Sequence, residues 1–181
     1  HNNGTVNITA VATITSGVFY NLTLNISGII TISNNAIVNN TLTISALLTL
    51  NGSAIETRGN IVFTDTSWNG SSKIIVNGTG TQTFSGTGVC GVSMDIDKPA
   101  GDVNLSANRA FLNATSHLSL IAGNFNCATF TLSITGNFTQ TGGVFLGGTG
   151  AITVTGIFTL TAGSFTSTSG VLTLVNSNSI A

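Results

Sequence analysis

The chain of 181 residues carries four basic and five acidic side chains, a net charge of −1, and charged residues make up 5% of it against about 25% in an average soluble domain. Asn, Ser and Thr supply 70 positions and hydrophobic residues 41%, so the chain is polar without being charged and apolar enough to fold, which excludes intrinsic disorder. Four scattered cations cannot form the basic patch that nucleic acid requires, no coiled-coil heptads are present, and no apolar run approaches the ~20 residues of a membrane span. The chain opens on His1 rather than Met, with no signal peptide, as a processed or excised segment would.

The N-terminal third repeats every eighteen residues. Val6, Leu24 and Leu42 share that spacing, as do Ile8, Ile26 and Ile44, then Ala12, Ile30 and Leu48, then Ile14, Ile32 and Leu50, then Phe19, Ile37 and Ile55. Within each repeat the apolar residues alternate, as the inward side chains of a strand do. The middle, roughly 57 to 110, is less regular. SWNGSSK (67–73), with Trp68, reads as a loop thrown out at a corner, and DIDKPAGD (95–102), with the only proline, reads as a second break in register. Corner insertions are therefore expected around 64–73 and 95–102.

The C-terminal third repeats every twenty residues. Leu112, Leu132, Ile152 and Leu172 form one column and Ala114, Ile134, Val154 and Leu174 its neighbour. Leu118, Phe138 and Phe158 form a third, and Phe125, Phe145 and Phe165 a fourth. Gly123, Gly143 and Gly163 recur just before those phenylalanines, where a corner needs unusual backbone angles.

A strand pattern at this period predicts an all-β, single-stranded parallel β-helix, or β-solenoid, with 18-residue coils at the N-terminal end and 20-residue coils at the C-terminal end. About nine to ten three-sided coils, stacked at the ~4.8 Å strand spacing, make a rod on the order of 45 Å long. Residues 1–181 read as one domain without a linker. Short alternating strands with glycine turns also fit an antiparallel sandwich, but the column registry favours the solenoid.

GNFTQTGG, ITVTGIFTLTAGSF and GTGTQTFSG followed by DIDKPAGDVNLSAN resemble the Asn/Thr/Gly-rich parallel β-helix repeats of large secreted bacterial surface proteins, of the filamentous-haemagglutinin and autotransporter-adhesin kind. The likeness is clearest over residues 76–175 and lies in style more than in a diagnostic motif. It implies a right-handed β-helix, an extracellular or cell-surface setting and a structural or adhesive role. The N-terminal hexads depart from it toward left-handed hexapeptide helices without their usual Gly, so both hands stay open.

Sugar-cleaving enzymes also use β-helices, and their chemistry needs clustered carboxylates and cations or a carboxylate-bound Ca²⁺. Asp95 and Asp97 alternate with Met94 and Ile96 and should point outward together, with Asp102 near; they read as a solvated corner beside Lys98 and Arg109 rather than a cation site. Glu56 and Asp65 have no visible partner. His117 precedes the inward Leu118 and should face outward, with no His/Cys cluster or catalytic triad about it. No catalytic, cofactor or metal site is expected, and the chain reads as a non-enzyme. Cys90 and Cys127 stand about two coils apart, roughly 9–10 Å along the stack, beyond the ~7 Å reach of a disulfide unless the irregular middle draws them together.

Outward polar rows are expected instead. Thr5, Thr23 and Thr41 lie beside Asn7, Asn25 and Thr43, Thr13, Thr31 and Thr49 line a second face, and Thr139 and Thr159 continue such rows. Stacked hydroxyls and amides can bond along the ladder. A flat Thr array could instead bind ice, though Asn, Ser and Val break these rows, and Trp68 or Tyr20 could stack on a carbohydrate. Eleven Asn-x-Ser/Thr sequons occur, and Asn21, Asn25, Asn39, Asn69, Asn77 and Asn137 are candidate glycosylation sites in a suitable host.

Monomeric solenoids carry polar caps, and this sequence shows none. Val6 and Ile8 begin the columns and Leu172 and Leu174 end them, which makes these four the candidate axial-stacking residues. The partners expected are other copies stacked end to end, or adjoining coils of a longer chain. All nine charges lie between Glu56 and Arg109, so the outer coils could stack without desolvating an ion.

Overall fold

Alternating short strands that cannot bury their apolar side alone must stack, and every strand pair among the described residues is parallel. The structure is a computed structural model that describes residues 3–176 and 178–180. It is a β-solenoid of about eight turns, close to the expected count. The first face runs through 17–19, 36–38, Ile55–Thr57, Lys73–Val76, 94–96, 118–120, Phe138–Gln140, Phe158–Leu160 and Asn178–Ile180. The second runs through Thr5–Ile8, 21–24, 41–44, Asn60–Phe63, Gln82–Ser85, 103–105, 124–126, Val144–Leu146 and Ser164–Thr166. Four long strands, Gly17–Leu24, Ala36–Ile44, Ser93–Leu105 and Leu118–Asn126, bend around the corner between these faces and join them into one sheet.

The third face is two ladders. Ala12–Ile14, Gly28–Ile32, Leu48–Gly52 and Asn69–Gly70 form one, and Arg109–Phe111, Leu132–Ile134, Ile152–Val154 and Leu172–Leu174 the other. Between them Cys90 makes an isolated bridge to Phe111. This seam holds Trp68, which is 1% exposed and donates its indole N–H to the Val89 carbonyl at 2.6 Å. Within the largely exposed segment 64–73, Trp68 is therefore turned inward. An indole packs inside because its large apolar surface outweighs the one polar atom, which here is satisfied.

The core is built from axial columns. Ala36, Ile55, Ile74, Met94, Leu118, Phe138 and Phe158 follow one another up the first face. Val103, Phe125, Phe145 and Phe165 follow up the second. The twenty-residue columns hold for Leu132, Ile152 and Leu172 and for Ile134, Val154 and Leu174.

Two expectations are corrected. The N-terminal coils are not uniformly eighteen residues: Val6 pairs with Leu22, Leu22 with Leu42 and Leu42 with Ile61, steps of sixteen, twenty and nineteen. The eighteen-residue step is real for Ala12 with Ile30 and Ile14 with Ile32, but Ile30 then pairs with Leu50 rather than Leu48. Likewise Phe19 pairs with Val38, and Ile37 faces outward in a row with Val18 and Glu56. The second correction concerns Leu112 and Ala114. Arg109 and Phe111 hold those column positions, the interval to Leu132 is twenty-three residues, and Leu112 is 50% exposed on the loop that takes up the excess.

The corner glycines behave as expected. Gly123, Gly143 and Gly163 have φ of 82°, 62° and 89°, a region L side chains rarely adopt. A Cβ on Gly143 would also lie 2.3 Å from the Gly123 carbonyl oxygen of the turn below. Gly143→Val is therefore expected to cost at least about 2 kcal/mol, strain and clash together. Urea denaturation measures it, and an unchanged midpoint would contradict the close stacking at this corner.

Candidate functional site

The outward surface is a set of Asn/Thr rows whose side chains bond along the axis. Thr5, Asn21, Thr41 and Asn60 form one row and Asn7, Thr23, Thr43 and Val62 its neighbour. Thr23 thus lies in the row beside Thr5 and Thr41, and Asn25 lies past the strand end. On the third face Thr13, Thr31 and Asn51 share a row, while Thr49 stands between Ile29 and Asn69. Ser119, Thr139 and Thr159 line the first face. The hydrogen-bonding groups look to one another: Asn21 Nδ2 donates to Thr5 Oγ1 at 3.2 Å, Asn40 Nδ2 to Asn21 Oδ1 at 2.8 Å, and Thr49 Oγ1 to Asn69 Oδ1 at 3.3 Å.

Asparagine amides also accept from the backbone of the next turn. Asn51 Oδ1 accepts from Ser71 N, Asn60 Oδ1 from Thr83 N, Asn108 Oδ1 from Thr131 N and Asn137 Oδ1 from Ile157 N, at 2.8–3.1 Å. A corner lacks the strand ladder's partners, and a short uncharged amide satisfies a stranded N–H without burying an ion. This gives part of the Asn complement a structural role. It also separates the sequons. Asn25, Asn39 and Asn69 are exposed, Asn69 accepting from Thr49 Oγ1, whereas Asn21 and Asn137 are half-buried and engaged axially, and Asn77 Nδ2 donates to Glu56 Oε2 at 3.1 Å.

The charged middle is not one solvated corner. Asp95 pairs with Lys73 at 2.7 Å, Asp97 is exposed where the strand register shifts, and Asp102 accepts from Asn124 Nδ2 at 2.7 Å. These carboxylates do not converge, and no group of three metal-ligating side chains occurs among the described residues. Lys98 and Arg109, expected at the surface, are 1% and 2% exposed. Lys98 Nζ donates to Gly78 O at 2.6 Å, Gly80 O at 2.9 Å and Gln82 Oε1 at 2.6 Å. Arg109 donates from its two terminal nitrogens to Gly88 O at 2.9 Å and Gly86 O at 2.6 Å, its guanidinium 4.6 Å from the Phe84 ring centre. Burial lowers the pKa of both, with nearby Asp102 partly opposing the effect at Lys98. Buried Gln82 and Gln140 bond corner carbonyls in the same interior: Gln82 to those of Thr57 and Gly59, Gln140 to those of Gly142, Gly143 and Ser164. Sequence reading missed this interior polar set, although Met94, Ile96 and Lys98 alternate in phase and Gln140 falls twenty residues after Leu120.

His117 is half-buried, its Nδ1 accepting the Asn137 backbone N–H at 2.9 Å. Tyr20 is half-buried at the register shift between Phe19 and Asn21. Cys90 and Cys127 are both free and buried. Burial pushes each thiol up to about 12, with the Val92 backbone and the charge of Arg109 opposing it in part at Cys90. Folded values above the unfolded value mean that this contribution to stability is fully present below about pH 8.5 and is lost as pH rises toward 12. Neither thiol should react with a disulfide reagent at pH 8 until the chain unfolds, and urea midpoints should fall between pH 9 and 12. Rapid labelling of the native chain would contradict this burial.

No family model, curated protein or solved structure matches this chain.

Proposed function

We propose that the chain is a non-catalytic structural rod, a segment of an extracellular surface fibre or adhesin stalk of the filamentous-haemagglutinin-like kind, extended by adding β-rungs at its ends. One observation carries the reading. Among the exposed large apolar side chains the four most exposed, Val11 at 73%, Val171 at 65%, Val175 at 57% and Val18 at 56%, all lie on the first and last turns. The columns finish there on half-buried Val6, Ile8, Leu172 and Leu174, where interior equivalents such as Leu22, Leu42, Ile134 and Val154 are buried. A further rung covers such an end and pairs its backbone, and a head-to-tail contact of this kind repeats without closing. The partner is a second copy or a following coil of a longer chain; both offer the same surface. The Asn/Thr rows bond within themselves, which suits a stiff shaft better than an array presented to ice.

Sedimentation and negative-stain microscopy of the purified chain test this. Rods that lengthen with concentration are expected, and Leu172→Asp with Leu174→Asp should leave single particles. A parent chain that stays monodisperse at high concentration would count against self-stacking.

A further inference from the structure

The two buried cations are held by groups of one turn and supplied by the next. The donors' partners, Gly78, Gly80, Gln82, Gly86 and Gly88, all belong to the turn spanning 74–92. Lys98 and Arg109 come from the turn that follows. We propose that the turn spanning 74–92 carries two cation receptors of different shape, one for a primary ammonium and one for a guanidinium, which the next turn fills with Lys98 and Arg109.

The first receptor presents three neutral oxygens to one nitrogen with three donors, so every N–H of the ammonium is used. Its Gln82 arm is fixed in advance: the amide nitrogen donates to Thr57 O and Gly59 O, and Oε1 also accepts from Gly78 N at 3.0 Å. Lys73–Asp95 is the one ion pair among the described residues, so no carboxylate contacts Lys98. Neutral oxygens in that number suit a weakly charged, hydrogen-bonding cation, whereas divalent ions take carboxylates and higher coordination. The second receptor is flat. Two carbonyls, Gly86 and Gly88, receive the fork of a planar guanidinium whose central carbon lies 4.6 Å over the Phe84 ring centre, an arrangement a compact ammonium cannot reproduce.

This pair supplies what the generic turns lack. Parallel coils with similar apolar columns can slip by two residues and keep every side chain on its own side. A turn that must seat an ammonium at one corner and a guanidinium at the other stacks in one register only.

Chemical rescue tests the proposal. Lys98→Ala and Arg109→Ala leave buried carbonyls without donors, and each should lower Tm by about 5–10 °C. Methylammonium chloride should raise the Tm of the Lys98→Ala chain saturably and leave the Arg109→Ala chain behind; methylguanidinium chloride should do the reverse. Tetramethylammonium at equal ionic strength, with no N–H to donate, should rescue neither. Where a variant fails to fold, its refolding yield in each salt gives the same readout. Lys98→Met and Arg109→Met keep an apolar stem in each receptor and should not respond. Parent-like stability of both alanine variants, no rescue, or rescue without selectivity would overturn the proposal.

Discussion

Trp68→Ala should destabilise the chain by about 3–5 kcal/mol, the range for removing a fully buried large aromatic. In a chain of this length that corresponds to a Tm lower by about 10 °C or more. Trp68 fills the seam of the third face, edge-on to Phe63 at 5.0 Å between ring centres, and Phe63 in turn meets Phe84 at 5.1 Å. Truncation opens a cavity at the seam between the two third-face ladders, where Cys90 makes only an isolated bridge to Phe111 of the second, and it strands the Val89 carbonyl. Trp68→Phe should recover part of the loss, since it keeps an aromatic ring against Phe63 but gives up the second ring of the indole and a hydrogen bond worth about 1 kcal/mol. Thermal melts followed by circular dichroism measure both. A Trp68→Ala chain that melts with the parent would mean that the seam is not held by this side chain.

The solenoid was legible in the sequence because strand alternation and column spacing are both direct consequences of stacking. From Leu118 onward the C-terminal columns were read correctly, with Phe125, Phe145 and Phe165 in place, because successive turns there repeat at the same length. The N-terminal register was misread for a specific reason. Sixteen, eighteen and twenty are all even, so Val6 can be matched with Leu22 or Leu24 without turning any side chain from core to solvent. Hydrophobic alternation constrains parity within a strand, but the nineteen-residue step from Phe19 to Val38 changes it across a turn, which is why Ile37 was read into the column and lies outside it. Leu112 misled in a related way. It is the apolar residue twenty before Leu132, yet the loop after Phe111 lengthens and lets Arg109 occupy the column.

The interior cations were illegible because composition argues against them. A lysine or arginine is expected at the surface unless partnered, and here the partners are four backbone carbonyls and the Gln82 amide oxygen, which no sequence pattern displays. The lengthened corners at Gly78–Gly80 and Gly86–Gly88 leave carbonyls without a strand to pair, and the next turn answers with donors. The Asn rows follow the same logic from the other side, answering stranded N–H groups with amide oxygens. Much of the chain's uncharged polarity thus bonds the edges of a stack whose faces are already paired.

Phe145→Ala should cost about 3–5 kcal/mol, and the damage should be confined to one end. Phe145 is fully buried and sits at the centre of an aromatic ladder. Its ring stacks on Phe165 at 4.5 Å and 4°, lies 5.5 Å from Phe125, and meets Phe138 edge-on at 5.3 Å. Each such pair adds about 0.5–1.5 kcal/mol beyond the area it buries, so removing the middle ring weakens three contacts at once. Because a turn touches only its neighbours, the loss cannot spread evenly through the rod. Phe165 and the strands Ile152–Val154, Phe158–Leu160 and Leu172–Leu174 should fray, while the turns built on Leu22, Leu42 and Ile61 keep their protection. Hydrogen exchange read by mass spectrometry resolves this: faster exchange over 140–176 with unchanged exchange over 20–65 is the expected result. Phe145→Leu, which restores bulk without a stacking face, should fall between parent and alanine variant. Uniform acceleration along the chain would show that the stack melts as one cooperative unit, and the nearest-neighbour account of its stability would then fail.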